Sequence, residues 1–349
     1  MKRVMGTLAA VIVLLGLTAG LADAQQLMNG AGATFPYPIY SKWFDEYTRV
    51  DPSVRFNYQS IGSGGGIRQI SEQTVDFGAS DGPMTDEQLS KAPRPLLHVP
   101  TVLGADVVTY NLPGDPKLRF TSELLVDIFL GKVATWNDPK IAAVNPGVQL
   151  PNTPIIVVHR SDGSGTTYIW VDYLSKVSKE WETKVGRGTS VKWPVGLGGK
   201  GNEGVAGQVK NTPGAIGYVE LAYAAKNRLP AAPVKNAAGK FVEPSIASTT
   251  AAAAGAAAHM PADFRVSLTN PPGDDAYPIA SFTWLLVYKD QPDETKGRAL
   301  VKFLWWMSHE GQKYAADLLY APLPPQVVKQ IEAAISQITF KGKPLLAAR

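Results

Sequence analysis

The 349-residue chain has no cysteine. That excludes disulfides, a thiol nucleophile and any thiolate metal site. Histidine is scarce and scattered (His98, His159, His259, His309), which argues against a zinc site as well. No Lys/Arg-rich run occurs, and the formal net charge is only +4. Nucleic acid is therefore not an expected partner. Only one apolar run approaches the length of a membrane span, from about Val4 to Leu21. It follows Met1-Lys-Arg3 and precedes Ala22-Asp-Ala24, which together read as a secretory signal cut after Ala24. A retained anchor is the alternative, but Gly and Thr interrupt the run. With no cysteine at the cut, a lipid anchor is not expected, and the mature chain should be soluble, most simply in a periplasm. Small secreted domains often need disulfides, but a chain of this length can bury a large core without them.

What is present points to an α/β protein of about two domains. Val54–Tyr58 alternates as a strand, Gly62–Gly66 reads as a glycine-rich turn, and Ile67–Gln73 reads as a helix. Asp76–Ser80 is a short strand. Leu96–Tyr110 and Tyr277–Lys289 are long β-rich runs, suited to crossing between two domains and back. Glu243–Ala262 contains an alanine-rich stretch, expected as a surface helix or a loose insertion without chemistry. Glu294–Ile335 should form two helices around Tyr320–Pro325. Trp305 and Trp306 recur with Phe303 at helical spacing and are expected in the core.

Arg160-Ser-Asp-Gly-Ser-Gly-Thr-Thr167 carries the clearest chemistry. It follows the strand-like Ile155–Val158 and opens the helical Tyr168–Leu174. Free N–H groups and the positive end of a helix dipole favour an anion there, and an arginine adds a full charge and a planar fork. An ordinary N-cap uses the same residues. Two further loops, Gly30–Pro36 and Ser63–Gly66, stand at expected helix starts, so three sets of donors could converge on one anion. Asp81, at the end of a strand, would be out of place beside an anion unless that anion carries a proton. A carboxylate accepts a hydrogen bond from a phosphate P–OH, whereas against sulfate it leaves acceptor facing acceptor. A strand-end turn residue is the plainer account of Asp81. Asp162 could hold the Arg160 guanidinium or cap the helix.

Other patterns carry less. Gly196-Leu-Gly-Gly-Lys-Gly201 satisfies G-x-G-x-x-G after the strand-like Val191–Val195, with Glu220 further on. The helix that would follow, Asn202–Lys210, is short and glycine-containing, and an exported protein has little access to a dinucleotide. The P-loop pattern is not met. Asp274-Asp275 in a Pro/Gly loop reads as solvated rather than metal-binding. His159 reads as structural.

Taken in order, several stretches resemble the periplasmic phosphate-binding proteins of high-affinity phosphate ABC importers. They are Gly30–Pro36, Tyr58–Gly66, Val75–Asp81, Arg160–Thr167, Val191–Asn202 and Pro213–Glu220, and the likeness covers nearly the whole mature chain. The resemblance implies a two-lobed type II periplasmic binding protein fold with two crossing hinge strands and phosphate in the interlobe cleft. It implies lobe I from 25–104 plus 279–349 and lobe II from 105–278, after the signal at 1–24. It assigns phosphate binding to Thr34, Phe35 through its backbone N–H, Ser63, Asp81, Arg160, Ser164, Gly165 and Thr166. Asp162 would pair with Arg160, and Gly196–Asn202 would be a structural loop. Ser60, Gly64 and Gly82 depart from the familiar Gly, Ser and Ala without replacing a matched position. The implied protein is a monomer with no cofactor and no catalysis. It would hand phosphate to the permease subunits of an inner-membrane importer and their ATPase. A phosphohydrolase using Ser164 or Ser63, or a receptor for sulfate or molybdate, are the alternatives.

Overall fold

The computed structural model describes residues 25–257 and 259–346; the expected signal segment and its cleavage point lie outside them. The strands are β1 (Gln26–Gly32), β2 (Val54–Ser60), β3 (Phe77–Ser80), β4 (Leu96–Tyr110), β5 (Ile156–Arg160), β6 (Leu197–Gly199), β7 (Ala215–Glu220), β8 (Val234–Lys235), β9 (Phe241–Val242) and β10 (Ala280–Tyr288). The helices are α1 (Tyr37–Val50), α2 (Ser63–Ser71), α3 (Asp86–Lys91), α4 (Ser122–Phe129), α5 (Pro139–Val144), α6 (Gly165–Val177), α7 (Lys179–Lys184), α8 (Gly201–Asn211), α9 (Leu221–Asn227), α10 (Ile246–Ala257), α11 (Glu294–Ser308) and α12 (Pro325–Ser336).

One eight-stranded sheet runs β2-β1-β3-β10-β4-β7-β5-β6. Its flanks are parallel: β1 with β2 and β3, and β5 with β6 and β7. Its middle is the antiparallel pair β4 and β10. β4 is long because it does two jobs. Residues up to Ala105 pair with β10, and Asp106–Tyr110 pair with β7. The register with β10 shifts between Thr283 and Trp284, opposite Pro100, whose ring nitrogen has no hydrogen to give the ladder. Both crossing strands are buried along nearly their whole length, which accounts for their unbroken apolar composition.

Helices follow the parallel strands, so α1, α2, α6 and α8 begin at the carboxyl ends of β1, β2, β5 and β6. Ile39, Tyr40, Trp43, Phe44 and Tyr47 give α1 a buried face, and Ile169, Trp170, Tyr173 and Leu174 do so for α6. Trp43, Trp136, Trp170, Trp181 and Trp284 are fully buried.

Several expectations need correction. Ser63–Gly66 is the first turn of α2, not a turn before it. Glycine is needed there because a Cβ on Gly66 would lie 2.6 Å from the Ala79 carbonyl oxygen. Val191–Val195 is not a strand; β6 starts only at Leu197, where its backbone pairs with β5. Gly30–Gly32 belongs to β1 and not to a loop. Of the two expectations for the alanine-rich stretch the helix holds and the loose insertion does not, since α10 buries Ser248, Thr249, Ala252, Ala253 and Ala257 on one face. Small side chains let that helix lie against the crossing strand at Ala280. Trp306 is in the core, while Trp305 is half-buried and stacks on His309.

Candidate functional site

β5 delivers Arg160 with its side chain almost wholly buried. Its Nε donates to Asp162 Oδ1 at 2.8 Å and its Nη2 to Asp162 Oδ2 at 2.5 Å, a two-pronged pair. Burial works against the charge on both partners. The pairing overrides it, holding the Asp162 carboxyl below the usual carboxylate range and Arg160 above its ordinary value. Asp162 is thus a partner of the guanidinium and not the helix cap. The cap of α6 is Ser164, whose Oγ accepts from Thr167 N–H at 3.0 Å. The remaining Arg160 nitrogen, Nη1, donates to Thr166 Oγ1 at 3.2 Å.

On the facing half of the sheet, α2 begins at Ser63 because Gly62 takes φ +87°. A Cβ at Gly62 would meet Asp162 Oδ2 at 2.2 Å, so the two halves touch there. Gly64 N–H donates to the Gly163 carbonyl at 2.9 Å, and Gly165 N–H donates to Ser63 Oγ at 3.0 Å. Ser63 Oγ in turn donates to Asp81 Oδ2 at 3.3 Å, and Thr283 Oγ1 donates to Asp81 Oδ1 at 2.8 Å. Asp81 is only 1% exposed. Burial raises its carboxyl to about 7, against the opposing pulls of Thr283, Arg160 and Ser63.

Thr34 lies between β1 and α1, where Gly32 turns the chain at φ +144°. Its Oγ1 accepts from Asn202 Nδ2 at 2.8 Å, and Asn202 Nδ2 also reaches Thr166 Oγ1 at 3.0 Å. Tyr223 OH donates to the Thr34 carbonyl at 2.6 Å, and Tyr320 OH to the Phe35 carbonyl at 2.6 Å. The structure thus gathers the expected residues into two adjacent hydrogen-bonded sets, Thr34, Thr166, Arg160 and Asp162 through Asn202, and Gly165, Ser63 and Asp81, which meet at the start of α6. Ser164 caps the same helix, and Phe35 stands next to Thr34.

Asn202, Thr283, Tyr223, Tyr320 and Tyr218 were not singled out by the sequence. Asn202 ends the G-x-G-x-x-G stretch expected to be a structural loop. Its bonds are to the protein itself: Asn202 ties the two halves of the site together and accepts from Glu220 N–H at 2.9 Å. Its position directly after a glycine-rich run at a helix start was the available signal. Tyr218 OH accepts from Arg160 N–H at 3.1 Å and pairs with Thr167 Oγ1 at 2.6 Å. His159 lies outside the cluster, stacked on Trp193 at 4.7 Å. Asp274 and Asp275 are exposed. Among the described residues no group of three histidines or carboxylates could hold a metal, and no helix is long and apolar enough to cross a membrane.

The arrangement offers one paired cation, several hydroxyl and backbone donors at helix starts, and among them the buried acceptor Asp81. Comparison with known proteins agrees with that chemistry. Residues 18–310 match the family described as the PBP superfamily domain. The phosphate-binding protein PstS of Xylella fastidiosa is 50% identical over 310 residues, which cover 88% of this chain and 84% of that one. PstS of Pasteurella multocida is 48% identical over 329 residues, covering 93% and 94%. Among solved structures, a high-affinity periplasmic phosphate-binding protein (PfluDING) with bound phosphate superposes with a TM-score of 0.70 at 22% identity, covering 88% and 93%. The fold is the two-lobed type II periplasmic binding protein fold that the motifs imply. The chain therefore belongs to the PBP superfamily and, within it, to the family of phosphate-binding proteins PstS.

Proposed function

We propose that this protein is a receptor that closes on one inorganic phosphate ion in the periplasm and delivers it to the permease subunits of an ABC importer. The residues proposed to hold the ion are Thr34, Phe35 through its N–H, Ser63, Asp81, Arg160, Ser164, Gly165 and Thr166, with Asp162 fixing Arg160. Asp81 carries the reading. It is buried, faces the donor cluster, and has no cation of its own; Arg160 is already paired with Asp162. An acceptor in a ring of donors suits an anion that brings a proton.

The chemistry of capture needs no bond to break. Arg160 supplies the charge in a fixed fork, the start of α6 supplies N–H groups, and hydroxyls fill the remaining directions. Ser164 has no histidine or lysine partner among its hydrogen bonds and caps a helix instead, which favours a receptor over a phosphohydrolase.

Calorimetric titration with phosphate and with sulfate, on wild type and Asp81→Asn, tests this. Wild type should bind phosphate and reject sulfate, and the amide, which can donate, should narrow that difference by at least about tenfold. Absence of phosphate binding by wild type would sink the reading. Unchanged selectivity in the variant would remove only the role of Asp81.

A further inference from the structure

Two more carboxyls lie in the floor of the site, and the capture chemistry above does not use them. Asp106 sits on β4 where that strand leaves β10 and joins β7, and its partner in the register is Glu220. Both residues are 0% exposed. Neither side-chain oxygen of Asp106 has a hydrogen-bond partner, and Oε1 of Glu220 has none. Glu220 Oε2 accepts from Ala222 N–H at 2.8 Å and lies 3.2 Å from Tyr320 OH, whose single hydrogen points to the nearer Phe35 carbonyl. A Cβ on Gly104 would lie 2.5 Å from the Phe35 ring and 3.4 Å from Glu220 Oε1, which puts this oxygen at the Phe35 wall of the cleft.

The surroundings make ionisation of either group expensive. Asp106 faces Arg160 from β5, Tyr218 and Glu220 from β7, Asp81 beyond β3, and Tyr277 ahead of β10. Glu220 faces Asp81, Tyr320 and Tyr223. Arg160 is the one cation among these groups, and Asp162 already neutralises it. As a carboxylate Asp106 would have neither donor nor cation, and Glu220 would have a donor on Oε2 alone; such a dry charge loses its hydration with little in return, whereas a carboxylic acid loses far less. Burial, opposed by Arg160 and reinforced by Glu220, pushes the Asp106 carboxyl well above its ordinary range. Burial does the same to Glu220.

The walls of this floor come from both halves of the sheet: Phe35 and Tyr320 on one side, Arg160 and Tyr218 on the other. An opening of the cleft would separate those walls and let water reach the two carboxyls. We propose that Asp106 and Glu220 form a proton-accepting pair in the cleft floor, and that closure over the anion carries protons onto it. Anion capture is then coupled to proton uptake at a site that never touches the anion. The inference rests on the phosphate reading and goes beyond it.

The test is phosphate titration calorimetry on the whole protein in two buffers of unlike ionisation enthalpy, which counts the protons exchanged on binding. Contributions from phosphate itself and from Asp81 are common to wild type and Asp106→Asn, so the difference isolates Asp106. At neutral pH wild type should take up about one proton more than the variant, and its affinity should fall more steeply with rising pH, by up to about tenfold per unit. Equal proton counts in two proteins that both bind phosphate overturn this inference alone. A wild type that binds no phosphate overturns the phosphate reading and this inference with it. Infrared difference spectra of wild type give a readout free of any variant. Phosphate should create a protonated-carboxyl band at neutral pH, and its absence overturns the inference.

Discussion

Half-buried Asp162 and buried Asp81 both lie near Arg160, and their surroundings drive them apart. Asp162 receives the Nε–Nη2 edge of the guanidinium with both of its oxygens and stays charged. Asp81 receives only hydroxyls, and burial dominates it. Asp162→Ala leaves a buried guanidinium without its counter-charge, so chemical denaturation should show a loss of about 3 kcal/mol. For Asp81 the sign follows from its raised value in the closed form. Sulfate can be held only with a proton on Asp81, and that proton costs more the further the pH lies above the ordinary carboxylate range. Sulfate affinity should therefore rise as pH falls from about 7 toward that range, by up to about tenfold per unit. Titrations at a series of pH values would show it, and a flat sulfate profile would count against the proton argument. Local chemistry made Arg160, Asp162 and Ser164 legible, because helix capping and short-range pairing act within a few residues. Asn202, Thr283 and Tyr223 were not legible. Their partners Thr34 and Asp81 lie more than 100 residues away in sequence, and no local pattern encodes such contacts.

Among elements, the helix starts do the positioning. α6 begins at Gly165, where a Cβ would stand 2.5 Å from both Asp81 Oδ2 and Ser63 Oγ on the other half. Gly165→Ala should strengthen α6 locally by up to about 1 kcal/mol, since glycine is the poorer helix former. It should nevertheless cost phosphate affinity at least about tenfold by holding the halves apart. Thermal unfolding without phosphate and calorimetry with it separate the two effects; unaltered affinity would mean the contact can relax. Long elements were legible for the opposite reason to short ones. β4 runs for 15 residues with burial on both faces, so its composition alone marks it. β6 has three residues, and only its partner β5 makes it a strand, so Val191–Val195 looked the better candidate. Ser63–Gly66 reads as a turn because glycine is a poor helix former. Its place in α2 comes from the closeness of the Ala79 and Gly32 backbones, which no window of sequence contains.

At the scale of the molecule, the halves share one sheet and one continuous buried cluster. We propose that the lobes are 25–104 plus 279–349 and 105–278, and that β4 and β10 would bend when the cleft opens. Phosphate at one hundred times its dissociation constant should stabilise the fold by about 2.7 kcal/mol and compact the molecule in solution scattering. A protein whose unfolding midpoint ignores phosphate would not be closing on it. One further consequence follows from the Arg160–Asp162 pair. The guanidinium already has its counter-ion, so an anion in the proposed site would meet a charge-balanced pair among oriented donors and not a bare positive charge. Dissolved ions compete with bare charges far better than with oriented dipoles sealed from water. On the proposed reading such a pocket would behave like a rigid solvation shell, and phosphate titrations in dilute buffer and in strong brine should then give nearly the same affinity.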